Sequence, residues 1–268
     1  EDVPLLEPYR ETFSDYFISK PSLRFYLEKL RFWALRRFAG NVDTVLACSD
    51  FYASCARDSG IFPRVKTLHN GIGLPAFSPI PSRQNVLFVG RLSEEKGAPV
   101  LVEAAGILRE AYPGMRVDIV GGGRQMRRIK KTIRKLKLKN AVRLLGYKTS
   151  SEIAGLYRES SLVAVPSMSP DNLPTVCIEA MAAGRPIIAS RIGGLPELVE
   201  HGKTGFLVPP NDPKALAESI GRLLSDPQLM RDMGKAGREK AEREFAADTY
   251  IENTLEEYEK AIRSHKKI

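Results

Sequence analysis

Short apolar runs alternate with helical patterns along most of this chain, and that alternation constrains its fold more than any other feature. The run Asn85–Val89, for example, has the length and the β-branched content of a strand buried in a parallel sheet. Helical spacing of apolar residues fills the intervals. The pattern predicts an α/β fold with a doubly wound, Rossmann-like parallel sheet. The predicted strands are Val86–Val89, Val117–Val120, Val142–Leu145, Leu162–Val165, Ile187–Ala189 and Phe206–Val208.

Turn residues divide the chain into three predicted parts. Prolines and glycines over 71–83 mark a boundary, and they follow a strand–helix–strand segment that is too short to close a sheet by itself. After the last strand the pattern turns helical, over 213–224, 227–237 and 249–263. We predict an N-terminal α/β part with a hinge over 1–78, a Rossmann-like domain over 79–245 and a C-terminal helix over 246–268.

One loop and the helix after it carry two carboxylates eight positions apart, Asp171 and Glu179. Pro174 lies near the predicted helix start and Gly184 at its end. A helix N-terminus offers unpaired N–H groups and the positive end of a dipole, which suit a phosphate. A carboxylate on each side of that phosphate would bind the hydroxyls of two sugars, so the segment indicates a site for a nucleotide-sugar donor.

A second loop carries cations directly after the predicted strand that ends at Val89. Gly90 and Arg91 begin this loop, and Lys96 and Gly97 precede the next helical pattern. The loop therefore lies at the carboxyl end of a strand, where open α/β sheets bind ligands. Arg91 and Lys96 would together neutralise a diphosphate without a metal ion. The alternative for either residue alone is a solvated loop cation.

Seven segments, in order, resemble the retaining glycosyltransferases of family 4, which have the two-domain GT-B fold. The resemblance runs from Asn41 to near the C-terminus. It implies a donor domain that is preceded by the end of an N-terminal acceptor domain and followed by a helix that packs back on that N-terminal part. The segments read DTVLACS (43–49), LHNGI (68–72), FVGRLSEEKG (88–97), IVGGG (119–123), EAMAAGRPIIAS (179–190), GGLPE (193–197) and GKTGFLV (202–208).

The resemblance implies roles for particular residues. Arg91 and Lys96 would bind the donor diphosphate, Glu179 the nucleotide ribose, and Asp171 would lie near the donor sugar, so these four form the predicted catalytic set. No metal and no cofactor are expected, and the donor substrate is a UDP- or GDP-linked sugar. The wider predicted donor site adds Gly90, Gly122, Tyr147, Lys148, Leu173, Pro174, Thr175 and Val176.

The sequence departs from the family pattern in three places. Asp171 stands where glutamate is usual, and the turn 172–174 (NLP) replaces a glycine-rich one. Because Pro174 has no N–H, the amides of Thr175 and Val176 are expected to contact the phosphate. Most of the acceptor domain, with its glycine-rich loop and active-site histidine, is absent, so the N-terminal α/β part is expected to be truncated.

Smaller features have local interpretations. The Gly121–Gly123 run lacks the G-x-G-x-x-G spacing of dinucleotide sites and indicates close approach of backbone to the nucleotide. Residues 146–148 either read the base edge through backbone atoms or form a plain strand-to-helix turn. Glu197 is predicted to cap a helix rather than to touch ligand, and residues 69–71 to form a hinge turn.

Composition excludes several classes of protein. No apolar run approaches the ~20 residues that span a bilayer. The three histidines argue against a histidine-ligated metal and a Ser-His-Asp site. The three cysteines, Cys48, Cys55 and Cys177, lack metal-type spacing, so we expect free thiols in a reducing compartment, the cytoplasm.

Positive charge is concentrated in one segment, 124–139, within a chain of net charge +9. The segment contains no acidic residue, and its apolar residues, from Met126 to Leu136, form one helical stripe. This wide basic face is either simply solvated or attaches the protein peripherally to anionic lipid at the inner face of a membrane. A basic and aromatic stretch over 20–38 allows ordinary helix packing or the same attachment. Aromatic residues do not interleave with the cations of 124–139, which argues against nucleic acid as a partner.

Two classes of function follow. The first is a metal-independent, retaining glycosyltransferase that moves a sugar from a nucleotide diphosphate to a saccharide or lipid-linked acceptor, in the assembly of a cell-surface polysaccharide, glycolipid or glycan. The second is a binding module, which either holds a nucleotide sugar without transferring it or binds a membrane through its basic face.

Overall fold

A computed structural model describes residues 33–34, 37–39 and 41–265. Most of the basic and aromatic stretch over 20–38 lies outside these residues. Among the residues described, no helix is both long enough and apolar enough to cross a bilayer.

A small two-stranded sheet comes first. Strands β1 (Val45–Ala47) and β2 (Val65–Thr67) pair in parallel, and helix α1 (Asp50–Asp58) connects them. Ser49 precedes α1 and its side chain accepts a hydrogen bond from the N–H of Tyr52. This is the strand–helix–strand segment that the sequence predicts before residue 78.

A six-stranded parallel sheet forms the larger part of the molecule, and all six predicted strands are confirmed. Three helices follow its last strand. The strands are β3 (Asn85–Val89), β4 (Arg116–Val120), β5 (Val142–Gly146), β6 (Leu162–Val165), β7 (Ile187–Ser190) and β8 (Gly205–Val208). The helices are α2 (Ala98–Leu108), α3 (Met126–Lys135), α4 (Ser150–Glu159), α5 (Thr175–Ala182), α6 (Leu195–Leu198), α7 (Pro213–Ser225), α8 (Pro227–Glu244) and α9 (Ala247–His265).

The strand order is β5-β4-β3-β6-β7-β8. The direction of winding reverses between β3 and β6, which pair in register at Val86 and Leu162. In an open α/β sheet the ligand crevice forms outside the carboxyl ends of the strands at this reversal. The two loops that the sequence singles out, after Val89 and after Val165, therefore lie beside each other at the expected position.

Both faces of the large sheet are buried. Val86 and Phe88 contribute to one apolar cluster, with residues of α2, α3 and α7, while Leu87 contributes to the other, with residues of α4, α5 and α8. Alternate residues of β3 thus serve opposite layers. The doubly wound architecture follows from this two-sided burial.

The prediction that a helix ends at Gly237 is wrong, since α8 continues to Glu244. A Cβ at Gly234 would overlap the Gly184 carbonyl oxygen at the end of α5, and a Cβ at Gly237 would touch Met181. These glycines permit close packing of α8 on α5 and do not terminate the helix. Packing against α5 offsets the modest cost of glycine inside a helix.

The C-terminal helix contacts the N-terminal part of the chain. Lys66 Nζ on β2 lies 2.6 Å from Glu257 Oε2 on α9. Ile72 pairs with Ala246 in an isolated parallel bridge, so the two chain segments that connect the small sheet and α9 to the larger part run side by side. The division into 1–78, 79–245 and 246–268 stays a prediction.

Candidate active site

A cavity of about 240 Å³ opens at the carboxyl ends of β3 and β6. Apolar residues of the two strands form part of its wall. The remaining wall brings together six residues of the predicted donor site with Ser167, which the sequence analysis missed. They are Gly90 and Lys96 after β3, Asp171 after β6, and Pro174, Thr175 and Val176 at the start of α5.

Lys96 and Asp171 form an ion pair in the cavity wall. Their Nζ and Oδ2 atoms are 2.5 Å apart, and their side chains are 21% and 20% exposed. The Ser167 hydroxyl donates to the same Asp171 oxygen at 3.2 Å. Partial burial makes such a pair stronger than one on the open surface. An anion that enters the cavity would compete with Asp171 for the Lys96 ammonium.

The N-terminus of α5 supplies further donors to the cavity. Pro174 precedes the helix in an extended conformation, no side chain caps it, and its first turn contains no acidic residue. The N–H groups of Thr175 and Val176 belong to this first turn, where intrahelical partners are absent. They and the helix dipole suit the phosphate that the sequence predicts here.

Glu179 lies one turn further along α5, outside the cavity wall, and is half-buried. Its Oε2 accepts a hydrogen bond of 2.9 Å from the hydroxyl of Tyr157 on α4. Burial, and then the charge of Glu179, raise the pKa of Tyr157 well above its ordinary value. Tyr157 is not among the residues predicted from the sequence, because its spacing with Ile153 on α4 is that of any core-facing aromatic residue.

Other predicted donor residues do not line the cavity. The Arg91 side chain is 72% exposed, and its Nη2 lies 3.5 Å from Glu95. The Leu173 side chain is buried in the core. Tyr147 is 81% exposed, and a Cβ at Gly122 would lie 2.6 Å from its ring. Neighbouring Lys148 forms an ion pair of 2.8 Å with Glu152 on α4.

Glycines let the loops around the cavity pack backbone against backbone. A Cβ at Gly97 would overlap the Pro166 carbonyl oxygen after β6, and one at Gly121 would overlap that of Gly90. On the loop after β7, Gly194 donates its N–H to the Asp171 carbonyl at 2.8 Å. The backbone around Asp171 is thereby supported from a third loop. Approach of Gly121–Gly123 to a nucleotide stays a prediction.

The prediction that Glu197 caps a helix is confirmed, and the helix is α1. The Glu197 carboxylate accepts hydrogen bonds from the N–H groups of Asp50 at 2.7 Å and Phe51 at 2.8 Å. Such a cap satisfies donors that α1 cannot pair internally. His69 Nε2 lies 3.2 Å from the same carboxylate, which ties the predicted hinge turn to the larger part of the molecule.

Among the residues that the structure describes, potential metal ligands meet at this cap. Oxygen or nitrogen atoms of Asp50, His69 and Glu197 lie within 4.8 Å of one another. Both Glu197 oxygens already accept backbone N–H bonds there. Independence from metal at the donor cavity stays a prediction.

Comparison with known proteins identifies the class. The profile of the family described as glycosyl transferases group 1 matches residues 76–240. The chain belongs to this family. In a solved structure, Anabaena Alr3699/HepE in complex with UDP and glucose, the same fold recurs with a TM-score of 0.75 at 26% identity, over 85% of this chain and 67% of that one. The predicted α/β fold of GT-B type is confirmed.

Two curated relatives extend the similarity. The putative colanic acid biosynthesis glycosyltransferase WcaL of Escherichia coli K12 is 32% identical over 216 residues, or 76% of this chain and 53% of WcaL. The D-inositol 3-phosphate glycosyltransferase of Streptomyces scabiei is 31% identical over 261 residues, which are 86% of this chain and 58% of that protein. The chain thus spans about half the length of the curated relatives that it matches.

Proposed function

We propose that this chain carries the donor-binding part of a retaining, metal-independent glycosyltransferase, which uses a UDP- or GDP-linked sugar. The observation that supports the proposal most directly is the cavity at the reversal of the sheet, where Lys96, Asp171 and the N-terminus of α5 meet. One cation and a row of amides are suited to a diphosphate, and a carboxylate beside them is suited to sugar hydroxyls.

In the proposed reaction the bond between the anomeric carbon of the sugar and the diphosphate breaks, and negative charge grows on the departing phosphate. A hydroxyl oxygen of the acceptor bonds to that carbon, and the hydroxyl proton passes to the departing diphosphate. Lys96 and the amides of Thr175 and Val176 stabilise that charge, because they are in place before the reaction begins. Arg91 approaches the phosphate from the exposed side. Asp171 contacts the donor sugar, and the acceptor is a saccharide or a lipid-linked saccharide.

Titration calorimetry with a panel of UDP-, GDP- and ADP-sugars tests donor binding, with and without a chelator. Binding of one class that survives the chelator supports the proposal, and a strict need for Mg²⁺ or Mn²⁺ contradicts it.

In the full-length protein, proton NMR of the first product is expected to show the donor's anomeric configuration, and an inverted product would reject the retaining mechanism.

A non-catalytic, nucleotide-sugar-binding role is the alternative, and it is favoured by Asp171, which is one methylene shorter than the usual glutamate and pairs with Lys96. The Asp171→Asn variant distinguishes the two. If transfer occurs, turnover falls more than donor affinity, because the proposed contact is with the reacting sugar. Donor binding with no transfer by the full-length parent protein would favour the alternative.

We further propose that helix α3 and its flanks hold the protein peripherally on anionic lipid at the cytoplasmic face of a membrane. Ile129 and Ile133 bury the apolar side of α3, and the cations of 124–139 are all exposed. None of these cations forms an ion pair with another described residue. They are Arg124, Arg127, Arg128, Lys130, Lys131, Arg134, Lys135, Lys137 and Lys139.

The protein is expected to sediment with anionic liposomes at low salt, to bind neutral liposomes little, and to be released by ~0.5 M salt, because salt screens the attraction. Replacing Arg127, Arg128, Lys130 and Lys131 with glutamine should abolish sedimentation and leave nucleotide binding unchanged. A control variant removes the same charge elsewhere, at Lys203, Arg231, Lys235 and Arg263. If both variants sediment with anionic liposomes as well as the parent protein does, the basic face of α3 is only solvated.

A further inference from the structure

A buried tyrosine hydroxyl contacts the carboxylate of Glu179. Tyr157 on α4 is only 2% exposed, and its ring packs in the apolar cluster that contains Leu87 and Cys177. Its hydroxyl lies 2.9 Å from Glu179 Oε2 and 3.4 Å from the Val176 carbonyl oxygen. The polar tip of an otherwise apolar residue thus reaches α5 at the residue that is proposed to bind ribose.

The donor and the acceptor of this hydrogen bond are fixed by the chemistry of the two groups. A carboxylate only accepts, so the Tyr157 hydroxyl donates. Because burial, and then the Glu179 charge, raise the pKa of Tyr157 well above its ordinary value, the phenol keeps its proton at neutral pH. The hydrogen bond to the Glu179 carboxylate is therefore charge-assisted.

The contact occupies one carboxylate oxygen and leaves the other free. Among the residues that the structure describes, Glu179 Oε2 bonds to Tyr157, and Oε1 has no hydrogen-bond partner. A half-buried glutamate without such a partner has several rotamers available, whereas the tyrosine holds this one in a single orientation. A ligand hydroxyl then meets an acceptor that is already in place.

We propose that Tyr157 is a positioning residue for the donor's ribose: its hydroxyl fixes the Glu179 carboxylate so that Oε1 accepts a hydrogen bond from a ribose hydroxyl. This inference rests on the proposed function, in which Glu179 binds the ribose. It assigns recognition of the ribose hydroxyls to a pair of residues on α4 and α5 and not to the glutamate alone.

Titration calorimetry on the parent protein, Tyr157→Phe, Glu179→Gln and the double variant tests the proposal. The ligands are UDP, GDP and their 2′,3′-dideoxy analogues. For whichever ribonucleotide binds the parent more tightly, Tyr157→Phe should weaken binding about tenfold, since it removes one charge-assisted hydrogen bond. The dideoxy analogue should bind all four proteins alike, and the double variant should be no weaker than Glu179→Gln.

Tyr112→Phe is the matched control, because Tyr112 also loses one hydroxyl bond, of 2.9 Å to the Gly221 carbonyl, away from the cavity. It should leave nucleotide affinity unchanged. If Tyr157→Phe binds the ribonucleotide as the parent does while Glu179→Gln binds it weakly, the inference is wrong and the donor site stands. Equal weakening for ribo- and dideoxynucleotides would also overturn it. Unchanged affinity in Glu179→Gln would instead reject the ribose assignment of the proposed function.

Discussion

The Lys96→Ala variant is expected to bind nucleoside diphosphates about 10- to 150-fold more weakly than the parent protein, a loss of about 1.5–3 kcal/mol. Lys96 is the cation in the cavity wall, and its removal has two effects. The phosphate loses a charge-assisted hydrogen bond, and Asp171 is left without its partner at 2.5 Å. The uncompensated carboxylate would then repel the incoming anion. Titration calorimetry with UDP and GDP measures the change.

Lys203→Ala is the control for this prediction. Lys203 forms an ion pair of 2.7 Å with Glu200, but its side chain is far more exposed and does not line the cavity. Its removal should leave nucleotide affinity unchanged. Arg91→Ala should weaken binding less than Lys96→Ala, because solvent screens an exposed guanidinium. Parent-like affinity in Lys96→Ala, with the fold intact, would remove Lys96 from the donor site.

The Gly97→Ala variant is expected to lose about 3 kcal/mol of the free energy of unfolding. Gly97 has φ +67°, where a side chain is strained, and a Cβ there would overlap the Pro166 carbonyl oxygen. The loops after β3 and β6 would have to separate, and these are the loops that form the cavity. Urea unfolding measures the stability, and nucleotide affinity should fall with it because the cavity changes shape.

The Gly60→Ala variant separates the two causes of the stability loss in Gly97→Ala, which are backbone strain at positive φ and the overlap with Pro166. Gly60 has a similar φ of +61°, but no atom lies within 4 Å of an added Cβ. The Gly60→Ala variant therefore has backbone strain without a steric clash, and it is expected to lose about 1 kcal/mol of the free energy of unfolding. The difference between the variants measures the clash with Pro166. Equal losses in the two proteins would show that the loops can separate at no cost.

The fold and the two loops of the cavity could be predicted because their signals are local. A buried parallel strand appears in the sequence as a short apolar run. Because successive strands run in parallel, the loops that follow them lie at the same edge of the sheet. Lys96 and Asp171 each follow such a run, so their meeting at one edge of the sheet follows from the topology. The strand order then adds that β3 and β6 are neighbours.

Residues whose roles depend on distant contacts could not be predicted. Tyr157 and Glu179 are 22 positions apart, and Glu197 caps a helix 147 positions away, so no spacing rule connects them. Glycine is typical of helix ends, but Gly237 lies inside α8 because it permits close packing against Met181 of α5. Arg91 and Lys96 look equivalent in one loop, and only the turn between them separates an exposed side chain from one in the cavity wall.

Backbone-to-backbone packing around the cavity also limits how such a site can diversify in evolution. At Gly97, Gly121 and Gly194 even a methyl group would overlap a carbonyl oxygen of a neighbouring loop. These positions cannot adjust ligand preference by small steps, because the first step already displaces a loop. Adaptation to a different sugar or base is therefore expected at positions whose side chains line the cavity, such as Ser167 and Thr175, while the glycine framework stays unchanged.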